Sequence, residues 1–223
     1  MIIPGYLYEL TAAYILIFLI REFIAWKRIL ALKYFFTPLI TALAVFIVLS
    51  SIGCYGVSRY SFLIFSSLIA ALIADTLLMI EETSYLKNGI IFFMLGHLLY
   101  VAAFSSDVTF EKWNIILLLI IAFVNVIQLK LMKKYAGGMF IPVTLYVIVI
   151  DIMGYLAITK LNNGAGVYEI SVAAAAVLFW ISDFILSINA FVKKIPHSTV
   201  YTWLFYAPAQ LLFAWSTVLI NRV

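Results

Sequence analysis

SFLIFSSLIAALIADTLLMI, residues 61–80, decides the fold. One charge, Asp75, interrupts a run that is apolar on every face. A helix rises ~1.5 Å per residue, so a run of this length spans the ~30 Å hydrocarbon layer of a bilayer. Comparable runs recur along the whole chain, at Tyr6–Ile24, Pro38–Gly53, Ser61–Ile80, Asn88–Phe104, Trp113–Leu131, Phe140–Ile158, Glu169–Phe191 and Thr199–Ile220. A membrane β-barrel would show short segments alternating between apolar and polar residues, which these are not. The expectation is an all-α membrane protein of eight transmembrane helices, forming a single integral membrane domain over 1–223. Composition agrees: with 66% hydrophobic and 11% charged residues, the chain has too little charge to coat a soluble core of this size.

The net charge of +4 does not point to nucleic acid, because the basic residues are scattered through short connections. They are topogenic. The first, third, fifth and seventh connections hold Arg21, Lys27, Arg28, Lys33, Lys87, Lys130, Lys133, Lys134, Lys193 and Lys194; the other side has Arg59, Lys112, Lys160 and Arg222. Ten against four places the odd loops in the cytoplasm and both termini on the opposite side. The compact connections suit a bacterial cytoplasmic membrane. No basic segment precedes the first apolar run, so no cleavable signal peptide is expected. Cys54 is the one cysteine, which rules out a disulfide framework within the chain.

A weak internal repeat relates 1–108 to 109–223. Phe36-Thr-Pro38-Leu is echoed by Phe140-Ile-Pro142-Val, Ile73-Ala-Asp75 by Ile181-Ser-Asp183, and His97-Leu-Leu-Tyr100 by Gln210-Leu-Leu-Phe213. Their separations of 104, 108 and 113 residues fit one four-helix unit used twice in the same orientation.

Asp75, Asp151 and Asp183 lie inside apolar runs, where a carboxylate costs at least ~2.5 kcal/mol and faces a bundle interior or wet cavity. Counting from Glu82, Asp75 is ~10 Å deep, while Asp183 counted from Lys193 and His97 from Lys87 are each ~15 Å deep. Gln210, counted from Thr199, falls in the same layer. His97 with Tyr100, Asp183 with Ser187, and Tyr206 with Gln210 share helix faces. Ser187, Asn125 and Gln128 read as polar glue between helices. Asp151, which has no counterpart in the repeat, is either a packing acid or a cavity wall. Two carboxyls in one low-dielectric cavity do not both stay ionised, so Asp75 and Asp183 form a coupled acid/base pair. Nothing else in the sequence offers comparable chemistry. There is no nucleophile elbow or phosphate-binding glycine loop. Two histidines do not build a three-histidine zinc site, and His197 lies in a loop far from His97. No metal and no cofactor is expected.

These residues carry a family pattern. Ala74-Asp75-x-Leu-Leu-Met, Gly89, Gly96-His97-x-x-Tyr100 and Ala102-Ala103-Phe104 resemble the lysoplasmalogenase (YhhN-like) family, as do Phe179-x-x-Ser182-Asp183-x-x-Leu186-x-x-Asn189-x-Phe191 and Tyr206-x-x-x-Gln210-Leu-Leu. The family usually has Gly-Asp where this chain has Ala74-Asp75, and Lys-Pro where it has Thr37-Pro38; Lys33 lies one helical turn earlier. The resemblance implies a hydrolase that cleaves the vinyl ether of lysoplasmalogens, lysoplasmenyl-ethanolamine or -choline, to a fatty aldehyde and a glycerophospho-base. It implies Asp75 and Asp183 as catalytic groups, His97, Tyr100, Tyr206 and Gln210 as orienting groups, and Lys33 and Arg28 as candidates for holding the headgroup. The implied partners are a lysophospholipid substrate and membrane lipids. The alternative is a proton-coupled small-molecule or lipid transporter, which also uses intramembrane aspartates.

Overall fold

The computed structural model describes residues 3–80 and 85–222. The chain folds into eight α-helices: α1 (Gly5–Trp26), α2 (Leu30–Tyr55), α3 (Arg59–Met79), α4 (Leu86–Phe104), α5 (Lys112–Lys133), α6 (Phe140–Thr159), α7 (Val167–Ser187) and α8 (Ser198–Leu219). No strand occurs among the described residues. Each expected span falls on one helix, with one correction. Pro38 does not open α2 but lies inside it, as Pro208 lies inside α8. Proline is best tolerated in a first turn, which is what makes Pro38 look like a helix start. The helix instead begins at Leu30, so Lys33 belongs to α2 and not to a loop.

Helices α2 to α7, with their flanking turns, are long and apolar enough to cross a membrane, and the chain is an integral membrane protein. α1 and α8 match them in length at 22 residues each but fall outside that set. α1 carries Glu9, Arg21 and Glu22, while α8 opens with Ser198 and Thr199 and contains Gln210. Three hydrogen bonds join the two helices to each other. The Tyr14 hydroxyl donates to the Ala207 carbonyl at 2.7 Å. The Trp215 indole donates to Thr11 Oγ1 at 2.8 Å. Arg21 Nη1 reaches the Thr199 carbonyl at 3.4 Å. With α2, α3 and α7 also packed on it, α8 is the central helix.

Close approach depends on small residues, as expected where lipid offers no hydrophobic contrast between helices. Ala175, Ala176, Ala207, Ala209 and Ala214 are buried on the paired helices α7 and α8. Where α3 meets α4, Ser67 Oγ donates to the Gly96 carbonyl at 2.7 Å. A Cβ on Gly96 would already stand 3.3 Å from the Ser67 carbonyl oxygen.

α5 is the peripheral helix. It packs chiefly on α6 and exposes large apolar side chains such as Ile115, Leu119 and Phe123. Two polar clasps hold it: Asn125 donates to Asp151 Oδ2 at 2.6 Å, and Gln128 donates to Ser187 Oγ at 3.0 Å. Trp180 donates to the other Asp151 oxygen at 3.0 Å, so this carboxyl ties α5, α6 and α7 together. Both readings of Asp151 have an observation behind them: its hydrogen bonds tie helices together, and it also lines two grooves of about 160 and 250 Å³. Lys160, a surface charge by its place in the sequence, is buried and donates to the Ser106 carbonyl.

Gly96→Leu is expected to lower the midpoint of thermal unfolding in detergent, because overpacking a tight contact costs about 1–3 kcal/mol. Gly53→Leu is the matched control, at a position where a Cβ would meet no atom within 4 Å. It should leave the midpoint unchanged or higher.

Candidate functional site

Asp75 and Asp183 line one cavity of about 200 Å³. It lies at the end of the bundle where the C-terminal parts of α1, α3 and α7 meet the N-terminal parts of α2 and α8. α1 supplies Arg21, α2 Lys33 and Thr37, α4 Phe93, α7 Ser182, and α8 Ser198, Thr199, Thr202, Trp203 and Tyr206. After Ser187 the helix widens into a π turn, Ile188–Val192, whose Asn189 also reaches the cavity. Glu82, the reference point for the depth of Asp75, lies outside the described residues.

Asp75 is buried, and the donors it needs come from two other helices. Thr41 Oγ1 of α2 donates to Oδ2 at 2.6 Å, and the Tyr206 hydroxyl of α8 donates to the same oxygen at 2.8 Å. Tyr206 in turn accepts from Gln210 Nε2 at 2.7 Å, and Gln210 Oε1 accepts from the Tyr100 hydroxyl at 3.0 Å. Four residues named from the sequence thus form one hydrogen-bonded chain. Thr41 completes it, and no motif singles it out. Its one signal is the pair Thr37 and Thr41 at i,i+4, a spacing that puts both hydroxyls on one face of α2.

Asp183 occupies another part of the cavity wall and is half-buried. The Tyr146 hydroxyl faces it, near enough to interact but outside strict hydrogen-bond geometry. Asp151 acts on it electrostatically, as Arg21 acts on Asp75, and no hydrogen bond joins Asp75 to Asp183. The two carboxyls therefore share a space without forming a contact pair.

His97 does not line the cavity. Its Nδ1 lies 2.6 Å from the Phe93 carbonyl, and its ring stands edge-on to Phe179 and Tyr146 at centroid distances of 4.6 and 5.4 Å. An aromatic cage thus holds the imidazole that helical phase places beside Tyr100. Lys33 lines the cavity, but Arg28 does not. Arg28 lines an adjoining depression of about 350 Å³ together with Lys33 and His197.

Arg21 is the main functional candidate that the sequence conceals. By position it is a loop charge, yet it is fully buried and its guanidinium lies 4.4 Å over the Trp203 ring. The available signal is Phe23-Ile24-Ala25-Trp26, an apolar turn that carries α1 past the arginine.

A convergent set of carboxyls, hydroxyls and cations in a small cavity can transfer protons and hold an anion. Among the described residues no cluster of three or more His, Cys, Asp or Glu side chains is placed to hold a metal.

The chain is 27% identical over 158 residues to "Lysoplasmalogenase TMEM86A" of Bos taurus and 25% identical over 158 residues to that of Homo sapiens. In both cases the match covers 70% of this chain and 65% of the relative's length, so the chain spans about two-thirds of these curated relatives. No solved structure matches it. The model of the YhhN family matches residues 29–217, from the start of α2 to the end of α8 and including both cavity aspartates, and the chain belongs to that family.

Proposed function

We propose that the protein is a lysoplasmalogenase-like hydrolase that cleaves the vinyl ether of a lysoplasmalogen inside this cavity by aspartate acid/base catalysis. The observation that carries the reading is the placement of Asp75 and Asp183, from different helices, on the wall of one small cavity beside cationic groups. The curated relatives named as lysoplasmalogenases support the choice of substrate.

A vinyl ether is cleaved by protonating its β-carbon. One carboxyl donates that proton, the carbon–carbon π bond breaks, and the charge moves to an oxocarbenium ion. The other carboxyl, ionised, stabilises the cation and takes a proton from the water that attacks it. The resulting hemiacetal collapses to an aldehyde and the glycerol hydroxyl, so one water is consumed and no covalent enzyme intermediate forms. Asp75 suits the ionised role, because its Oδ2 already accepts two hydroxyl protons. Asp183, more open to the cavity, suits the donor.

The same proposal includes eight membrane crossings, with the odd-numbered connections in the cytoplasm. α1 and α8 have the length for it, ~33 Å at the helical rise, and they lie against each other along the bundle. The cavity then opens toward the cytoplasmic face. It also treats the chain as a duplicated four-helix unit. Residues matched by the repeat meet between α4 and α8: Phe93 with Tyr206 at 5.9 Å and Tyr100 with Phe213 at 4.3 Å between ring centroids. Packing of α2 on α8 is mirrored by packing of α6 on α4. A carrier would be expected to break its helices at the binding site, whereas α2 and α8 continue through Pro38 and Pro208.

Purified protein in detergent should release fatty aldehyde from lysoplasmalogen, and Asp75→Asn and Asp183→Asn should each lower kcat by at least about a hundredfold with the fold intact. No release by the wild type, or full activity in either variant, defeats the proposal. Tyr206→Phe removes a donor to Asp75 and should lower kcat by about tenfold, the value of one charge-assisted hydrogen bond. Asp151→Asn keeps one acceptor oxygen for Trp180 and offers its new amide N–H to Asn125 Oδ1, which has no partner, once that amide turns. It should stay within about threefold of wild type, since neutral polar clasps between membrane helices are worth only ~0.6 kcal/mol.

A further inference from the structure

Arg21 poses an unsolved problem of charge and hydrogen bonding. The residue is 0% exposed. Its Nη1 is used twice, donating to Glu22 Oε1 at 2.6 Å and to the Thr199 carbonyl at 3.4 Å. Its flat face is covered by Trp203. Nε and Nη2, however, are buried without a partner. These two N–H groups lie on the same edge of the guanidinium and point in parallel, the edge that grips a carboxylate or phosphate through two oxygens. A buried donor left unpaired is costly, and two on one fork are a strong signal of a missing acceptor.

The surroundings narrow down that acceptor. Ser198, Thr199 and Thr202, on the first turns of α8, line the same cavity as Arg21. They bring three hydroxyls and the positive end of a 22-residue helix. Lys33 lines the cavity from α2. Asp75 lies close enough to act electrostatically on Arg21. A bulky anion with several acceptor oxygens matches this arrangement better than a single carboxylate.

We propose that Arg21, with Lys33 and the hydroxyls at the start of α8, forms a phosphate-binding subsite that holds the phosphodiester of the lysophospholipid while its ether linkage lies against the aspartates. The lipid as source of the phosphate rests on the hydrolase reading; the anion site does not. The assignment moves the headgroup contact inward from Arg28 to Arg21 and makes it bidentate. Arg21 is a binding residue here and takes no part in proton transfer.

The test separates binding from turnover. Binding would be followed by quenching of the protein's tryptophan fluorescence, titrated with a saturated 1-O-alkyl lysophosphoethanolamine, which has the phosphate but no cleavable bond, and with 1-O-alkylglycerol, which lacks the phosphate. Wild type should bind the phospholipid about 10- to 100-fold more tightly, as charge-assisted hydrogen bonds require. Arg21→Gln should reduce the preference to about threefold or less, Lys33→Gln should reduce it partly, and Asp75→Asn should keep it. With lysoplasmalogen, Arg21→Gln should raise KM far more than it lowers kcat. Equal wild-type affinity for the two lipids overturns the subsite whether or not Arg21→Gln folds, as does a full preference in a folded Arg21→Gln. Inorganic phosphate and glycerophosphoethanolamine serve as competitors. Displacement of the lipid by micromolar inorganic phosphate would assign the site to free phosphate and overturn the headgroup role. A retained phosphate preference in a wild-type protein that releases no aldehyde would leave the subsite standing and remove the hydrolase reading.

Discussion

A carboxyl group buried among helices must be given donors, and the two hydroxyls that meet at Asp75 Oδ2 satisfy this need from opposite directions. Thr41 brings α2 to α3, and Tyr206 brings α8 to the same point. The central position of α8 follows, and with it the position of everything that α8 carries: Gln210 against Tyr100, Trp203 under Arg21, and the hydroxyls of its first turns at the cavity. Remove the acid and the reason for three helices to meet there is weakened. The group proposed to do chemistry is thus also a point at which α2, α3 and α8 are joined.

The polarity of α1 and α8 has the same origin. Six helices carry the hydropathy of lipid-facing spans, while these two carry hydroxyls, an amide and an ion pair. Each group would be expensive in hydrocarbon. Between α1 and α8 the groups answer one another, Tyr14 to Ala207 and Trp215 to Thr11. Composition alone thus understates the membrane character of the two helices on which the site most depends. α5 shows the opposite balance. Its apolar surface is turned outward, and the Asn125 and Gln128 clasps draw it to its neighbours.

The helices and the meeting of Asp75 with Tyr206, Gln210 and Tyr100 are legible in the sequence because hydrophobic length and helical spacing act locally. An i,i+4 pair shares a face whatever the rest of the chain does. Depth counting also works for Asp183, which reaches the cavity from α7. It fails for His97, because depth and face do not say which neighbour fills the space, and here Phe179 and Tyr146 enclose the ring. Arg21 escapes notice among the topogenic charges because a charge near the end of an apolar run has two meanings, an anchor at the membrane surface or a group turned inward. Only packing against Trp203 and Thr199 chooses between them. Pro38 misleads for a related reason: the backbone rule that places proline in a first turn is a preference, and α2 overrides it.

The orientation of the Gln210 amide has a consequence for traffic through the bundle. Its oxygen faces Tyr100 and its nitrogen faces Tyr206. Hydroxyl groups in a row can hand hydrogen ions along by rotating, but a carboxamide inserted between them interrupts the hand-off, because its nitrogen holds its hydrogens firmly and its oxygen has none to give. Gln210 therefore interrupts the row behind Asp75 in both directions. Any hydrogen ion that Asp75 gains or gives up passes through the cavity and not along Tyr206, Gln210 and Tyr100.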